Sequence, residues 1–191
     1  VSALVPDGFP DSNTTERSFA EGFPEFFSME QPLWRRYFSM SKMRDLQEKP
    51  ELVFEELIPG KPFRPLVYPL TEEKIHQYME TVGDRHPLYV DLQEAKRRGL
   101  DSCLAPPGLA AVYARLSYLQ DHCMPSGGIL LRQEFQFHSP ARVGEVLEVR
   151  AKVEEAFVDG RGRKRVTFLI EAHRRGGEPV STIRLYAIWP K

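Results

Sequence analysis

Long stretches of the C-terminal half alternate apolar and polar residues with a period of two. In Glu145–Phe157, the residues Leu147, Val149, Ala151 and Val153 interleave with Glu148, Arg150 and Lys152, the pattern of a strand with one buried and one wet face. Ile129–His138, Arg163–His173 and Pro179–Trp189 are similarly rich in Val, Ile, Leu, Phe and Tyr, with turn residues between segments at Ser139-Pro140, Asp159-Gly160 and Gly176-Gly177. Together they predict a four-stranded antiparallel meander.

Upstream the period changes to that of a helix. Thr71 is a good N-cap for a helix whose apolar stripe is Ile75, Tyr78, Met79 and Val82 and which Gly83 ends. Asp91 caps a second, shorter helix, with Glu94 completing a capping-box-like pair and Gly99 closing it, and Asp84 to Val90 reads as the intervening loop. From Pro107 a third helix runs to about Gln120, apolar around much of its circumference, so it needs cover and the sheet's buried face is the natural one. Leu66–Leu70 is a short extended segment. Pro32 opens an amphipathic helix through Leu33, Tyr37, Met40, Met43 and Leu46, and residues 1–28 form an irregular, Phe-rich arm.

The 191 residues hold one full domain and an extension. The expected division is an arm and helix over residues 1–50 and an α+β domain over 51–191. A formal net charge of −1 lacks the basic excess of a dedicated nucleic-acid binder. No apolar run approaches the roughly 20 residues that cross a bilayer, and no secretory pattern opens the chain, so no membrane contact and a cytoplasmic location are expected. Cys103 and Cys123, the two cysteines, make neither a disulfide framework nor a metal site, and no cofactor is expected.

Chemistry concentrates between Tyr78 and Gly108, where Asp84, Arg85, His86, Tyr89 and Asp91 fall in one tight stretch beside the start of an apolar helix. Free N–H groups and partial positive charge at such a start suit a thioester oxygen or a phosphate. Lys96-Arg97-Arg98 and the cluster from Arg161 to Arg165 offer cations for phosphate.

The stretch Gly83-Asp84-Arg85-His86-Pro87-Leu88-Tyr89-Val90-Asp91, followed by Ala95, Gly99 and Ala105-Pro106-Pro107, resembles the hydratase signature of MaoC-like hotdog proteins, G-D-x-N-P-L-H-x-D. Phe137–Gly144 is similar to that family's entry into a strand, and the likeness runs from about Phe54 to Pro190. It implies a hotdog fold, in which an antiparallel sheet wraps a central helix, usually dimerised into a continuous sheet. An acyl thioester of coenzyme A or acyl carrier protein would lie along the interface. The implied reaction is reversible addition of water to a 2-enoyl thioester, giving a 3-hydroxyacyl thioester.

In that family the motif aspartate and the histidine five residues later activate water, while a backbone N–H at the central helix start polarises the thioester. By resemblance Asp84 is the aspartate, and Tyr89 stands where the histidine is expected, with His86 in place of the asparagine. Tyr, with a pKa of about 10, incurs a penalty of roughly 4 kcal/mol as a base at neutral pH, which makes Tyr89 a poor substitute; His86, two residues from Asp84 in the same loop, could stand in, so the catalytic candidates are Asp84 with His86 or Tyr89. Pro107 occupies the position of the N–H donor and has none; Gly108 would donate instead. The substrate-binding candidates are therefore Pro107, Gly108, Arg97 and Arg98. The pattern P-L-Y-x-D with A-P-P resembles a branch whose members form the substrate-binding half of a two-subunit dehydratase. Three readings follow: a hydratase or dehydratase working as a homodimer or with a second hotdog protein, a non-catalytic acyl-CoA-binding subunit, and a hotdog thioesterase.

Overall fold

The computed structural model describes residues 49–190; the arm and the Pro32–Leu46 helix lie outside them. Strands β1 (Leu66–Pro69), β2 (Ile129–Phe137), β3 (Val146–Val158), β4 (Lys164–Arg174) and β5 (Pro179–Trp189) form one antiparallel sheet in the order β1-β3-β4-β5-β2. Helices α1 (Glu72–Val82), α2 (Pro87–Val90) and α3 (Leu92–Arg97) lead into α4 (Leu109–Tyr118).

Two expectations change at the level of the sheet. Only β3, β4 and β5 form a meander, because β2 pairs with β5 rather than with its sequence neighbour β3. The extended segment from Leu66 supplies a fifth strand, with Leu66 opposite Val149 and Tyr68 opposite Leu147. Strand period reports which face of a strand is buried and carries no information about its partner.

The period itself holds where it is strongest. Leu147, Val149, Ala151 and Val153 are buried while Arg150 and Lys152 are exposed. Against this face packs α4, burying Leu109, Ala110, Tyr113, Ala114, Ser117 and Tyr118. The Tyr118 ring stacks on Phe168 of β4 at 4.4 Å and 9°, worth about 1 kcal/mol beyond the area it buries. The opposite side of α4 stays open, with Val112 and Leu116 exposed.

The local caps form largely as the residues dictate. The Thr71 hydroxyl accepts from the Lys74 N–H at 3.3 Å, and Gly83 closes α1 with φ of 69°, a left-handed value that favours glycine. Asp91 Oδ1 accepts from the N–H groups of Gln93 and Glu94. The capping box is only half made, since Glu94 turns its carboxylate to Arg97 and Arg98. Of the α1 stripe, Ile75 and Met79 are buried, Tyr78 is partly so and Val82 is exposed. The Asp84–Val90 stretch contains a helical turn, α2, where a loop was expected, because Pro87 starts it with φ already helical and His86 caps it.

Residues preceding β1 are tied across the end of α4. Leu52 N–H donates to the Cys123 carbonyl at 3.0 Å and Cys123 N–H to that of Pro50 at 2.9 Å. Trp189 Nε1–H donates to the Leu52 carbonyl at 2.8 Å, inside the core.

Candidate functional site

Backbone hydrogen bonds thread the segment before α4 between two walls. Leu104 N–H donates to the Leu88 carbonyl, Ala105 N–H to that of Ala141 and Val143 N–H to that of Cys103, at 2.9, 2.8 and 2.9 Å. The α2 turn is thereby held on one side and the corner after β2 on the other. Between them opens a cavity of about 390 Å³. Leu70, Leu104, Ala105, Pro106, Leu109, Ala110, Ala141 and Val180 make it apolar, while Tyr89, Tyr113 and Ser139 bring the hydroxyl groups to its lining.

The rim is braced by Arg174, which has no motif to announce it. Its guanidinium donates to Glu145 Oε1 at 2.9 Å, to Ser139 Oγ at 2.8 Å and to the Pro140 carbonyl at 2.6 Å, and it pairs with Glu178. One planar fork thus fixes the Ser139-Pro140 corner through several directions at once.

The sequence candidates divide around this cavity. Tyr89 and Pro107 line it, whereas Asp84 faces a separate concavity with His76, Met79, Glu80 and Arg85. Asp84 Oδ1 accepts from the His86 N–H at 2.9 Å, an Asx-type turn. His86 Nδ1 in turn accepts from the Leu88 N–H at 3.3 Å, and its ring lies 5.2 Å from that of Tyr89.

These bonds have chemical consequences. A neutral imidazole whose Nδ1 accepts a hydrogen bond carries its proton on Nε2, so Nε2 donates and does not take a proton from water. The Tyr89 phenol is pushed above its ordinary range by burial, and the charge of Asp84 and the neighbouring Tyr78 push in the same direction. It stays a phenol at neutral pH. Neither group is poised as a base in the described residues.

The start of α4 is arranged differently. Leu109, Ala110 and Ala111 close i→i+3 bonds to Pro106, Pro107 and Gly108, and the prolines carry no N–H. The Gly108 N–H has no protein acceptor among the described residues. A Cβ at Gly108 would overlap the Tyr78 hydroxyl, so the glycine answers a close approach, its φ of −62° being ordinary. Arg97 and Arg98 are both ion-paired with Glu94, at 2.7 and 3.0 Å, with their side chains largely in solvent. Arg163 and Arg165 both donate to Asp159. Cys103 is held as a thiol by burial, which raises its pKa along with the charges of Asp91 and Glu72.

A buried pair joins the cavity wall to the sheet: the hydroxyls of Tyr113 on α4 and Ser181 on β5 lie 2.7 Å apart. Separated by 68 positions, they leave no local signal in the sequence.

No helix among the described residues is long and apolar enough to cross a membrane. A family model described as FAS1-like, dehydratase domain region, matches residues 58–182. The chain is 28% identical over 132 residues to a UPF0336 protein of Saccharopolyspora erythraea, covering 65% of this chain and 84% of that one. In fold it is similar to the HadBC 3R-hydroxyacyl-ACP dehydratase complex of Mycobacterium tuberculosis, with a TM-score of 0.61, 22% identity and coverage of 69% and 96%. The (R)-hydratase of A. caviae gives 0.61, 19% identity and coverage of 71% and 99%.

Proposed function

This chain belongs to the FAS1-like dehydratase-region family and has its hotdog fold; from that premise we propose that it is the substrate-binding subunit of a heteromeric acyl-thioester dehydratase. The assembled enzyme interconverts 2-enoyl and 3-hydroxyacyl thioesters carried on coenzyme A or acyl carrier protein. The observation that carries this reading is an apolar cavity beside a free backbone donor with no base facing it. The Gly108 N–H is available to a thioester oxygen, while His86 Nδ1 is already occupied and the Tyr89 phenol holds its proton.

The chemistry demands what is missing. Removing water from a 3-hydroxyacyl thioester takes a proton from the α-carbon, delivers one to the departing hydroxyl and loads charge onto the thioester oxygen. This chain supplies the apolar seat and one donor for that charge. A partner hotdog subunit with an intact aspartate–histidine pair supplies the proton transfers. The 3R-hydroxyacyl-ACP dehydratase HadBC of M. tuberculosis, similar in fold, is itself described as a complex, which supports the reading.

Strand β2 supports a partner from the side of assembly. It ends the sheet with Ile129, Leu130, Leu131, Phe135 and Phe137 exposed between 39 and 56%. An apolar, unpaired strand edge is an aggregation hazard unless another chain covers it. Mixing the chain with a hotdog protein of the same genome that bears the intact motif should give one mixed species by size-exclusion chromatography, with hydratase activity that the partner alone lacks. A stable homodimer that ignores every such protein contradicts the proposal.

A further inference from the structure

The cavity ends at one level on four segments. Its lining stops at Tyr113 on α4, at Leu70 after β1, at Phe137 on β2 and at Val180 on β5. Beyond that level the space between helix and sheet is closed. The Tyr113 hydroxyl crosses from α4 to β5 and meets Ser181 Oγ at 2.7 Å, and the Tyr68 ring of β1 stands edge-on to the Tyr113 ring at 5.6 Å. All three residues are buried. Behind them Ala114 and Ser117 of α4 are fully buried, and the Ser117 hydroxyl donates to the Ala114 carbonyl at 2.7 Å, so this face of the helix is solidly packed. The opposite end of the cavity is its mouth, where Pro107 and Pro140 are exposed and Tyr89 and Ser139 half-buried.

Resting on the reading of this cavity as an acyl seat, with the thioester oxygen at the Gly108 N–H, we propose that the Tyr68–Tyr113–Ser181 layer is the end stop of that seat and limits the acyl chain to about six carbons. From Gly108 to Tyr113 the helix rises about 7.5 Å, and an extended hydrocarbon advances about 1.25 Å per bond, from its bond length and angle. A helical side chain leans toward the helix N-terminus, so the Tyr113 ring lies on the near side of its own Cα. To make way for a longer chain the ring must give up both its Ser181 bond and its Tyr68 contact. The cavity's 390 Å³ exceeds what six carbons fill; the remainder, at the mouth, accommodates the thioester and the start of the pantetheine arm.

The test uses the purified full chain and calorimetry with saturated acyl-pantetheine thioesters, from butanoyl to dodecanoyl in two-carbon steps, pantetheine being common to both carriers. Affinity should rise about tenfold from butanoyl to hexanoyl, as two buried methylenes dictate, then fall at least about fivefold by decanoyl as the chain meets the packed layer. Changing Tyr113→Leu together with Ser181→Ala opens the layer and removes both hydroxyls, so that neither is stranded; its melting temperature reports whether it folds. In this double variant the optimum should move to a longer chain, and decanoyl should bind about tenfold tighter than it does to the wild type. Wild-type affinity that goes on rising through dodecanoyl overturns the end stop, whether or not the variant folds, and leaves the acyl seat standing. A folded variant that keeps the wild-type cut-off overturns the assignment to this layer. Failure of every thioester to bind overturns the acyl seat as well.

Discussion

Gly108 joins an ordinary backbone to a close neighbour: alanine would be tolerated conformationally, yet the Tyr78 hydroxyl stands where a Cβ would go. Because that hydroxyl is the far end of a half-buried side chain, Gly108→Ala should move the ring at little cost in melting temperature and weaken acyl-thioester binding, read by calorimetry, because the displaced ring crowds the donor. Adding Tyr78→Phe removes the clashing oxygen and should recover part of the binding. Asp84 acts here through its bond to the His86 N–H. Asp84→Ala should cost about 1 kcal/mol of stability but leave turnover of the mixed enzyme within about twofold, as measured by steady-state assay. The candidate residues from Gly83 to Asp91 were legible because they form one contiguous motif. What each does was not, since the tautomer of His86 and the protonation of Tyr89 depend on the Leu88 N–H and on burial, which only the folded chain supplies.

Among the elements, the β3–β4 hairpin is closed by one carboxylate. Asp159 accepts from the backbone N–H groups of Arg161 and Arg163 and from the side chains of Arg163 and Arg165. Desolvation works to raise its pKa and is overridden by these bonds, which hold it far below the usual carboxylate range. The native state thus binds its proton less readily than the unfolded chain. The stabilisation is complete above the ordinary carboxylate pKa of about 4 and drains away as the pH falls below it toward the lowered native value. Asp159→Asn should flatten the acid limb of the stability–pH curve in thermal melts and leave the neutral-to-alkaline shape unaltered. Arg174 does the equivalent for the cavity rim; Arg174→Met should raise the dissociation constant for acyl thioesters by loosening Ser139-Pro140, with little change at the α4 start. Strands, caps and the central helix were readable because each depends on near neighbours in sequence. The pairing of β2 with β5 and the Arg174 brace depend on residues brought together from far along the chain, and no periodicity encodes them.

For the whole molecule, the exposed apolar residues of β2 and the open side of α4 lie on the elements that also border the cavity, since Phe137 and Ala110 line it. Cover for the edge and completion of the site are therefore one event in this account. Phe135→Lys should abolish the mixed species in size-exclusion chromatography while leaving this chain folded, because Phe135 is 39% exposed and its loss opens no internal cavity. The division of labour between subunits is tested by following the enoyl-thioester absorbance of 2-enoyl-CoA, and thiol release in the same cuvette, with this chain alone and then with its hotdog partner. This chain alone should be silent on both channels, and the mixture should lose absorbance without releasing thiol. Hydration by this chain alone at the rate of the mixture would contradict that division, and thiol release would move the protein to the thioesterases.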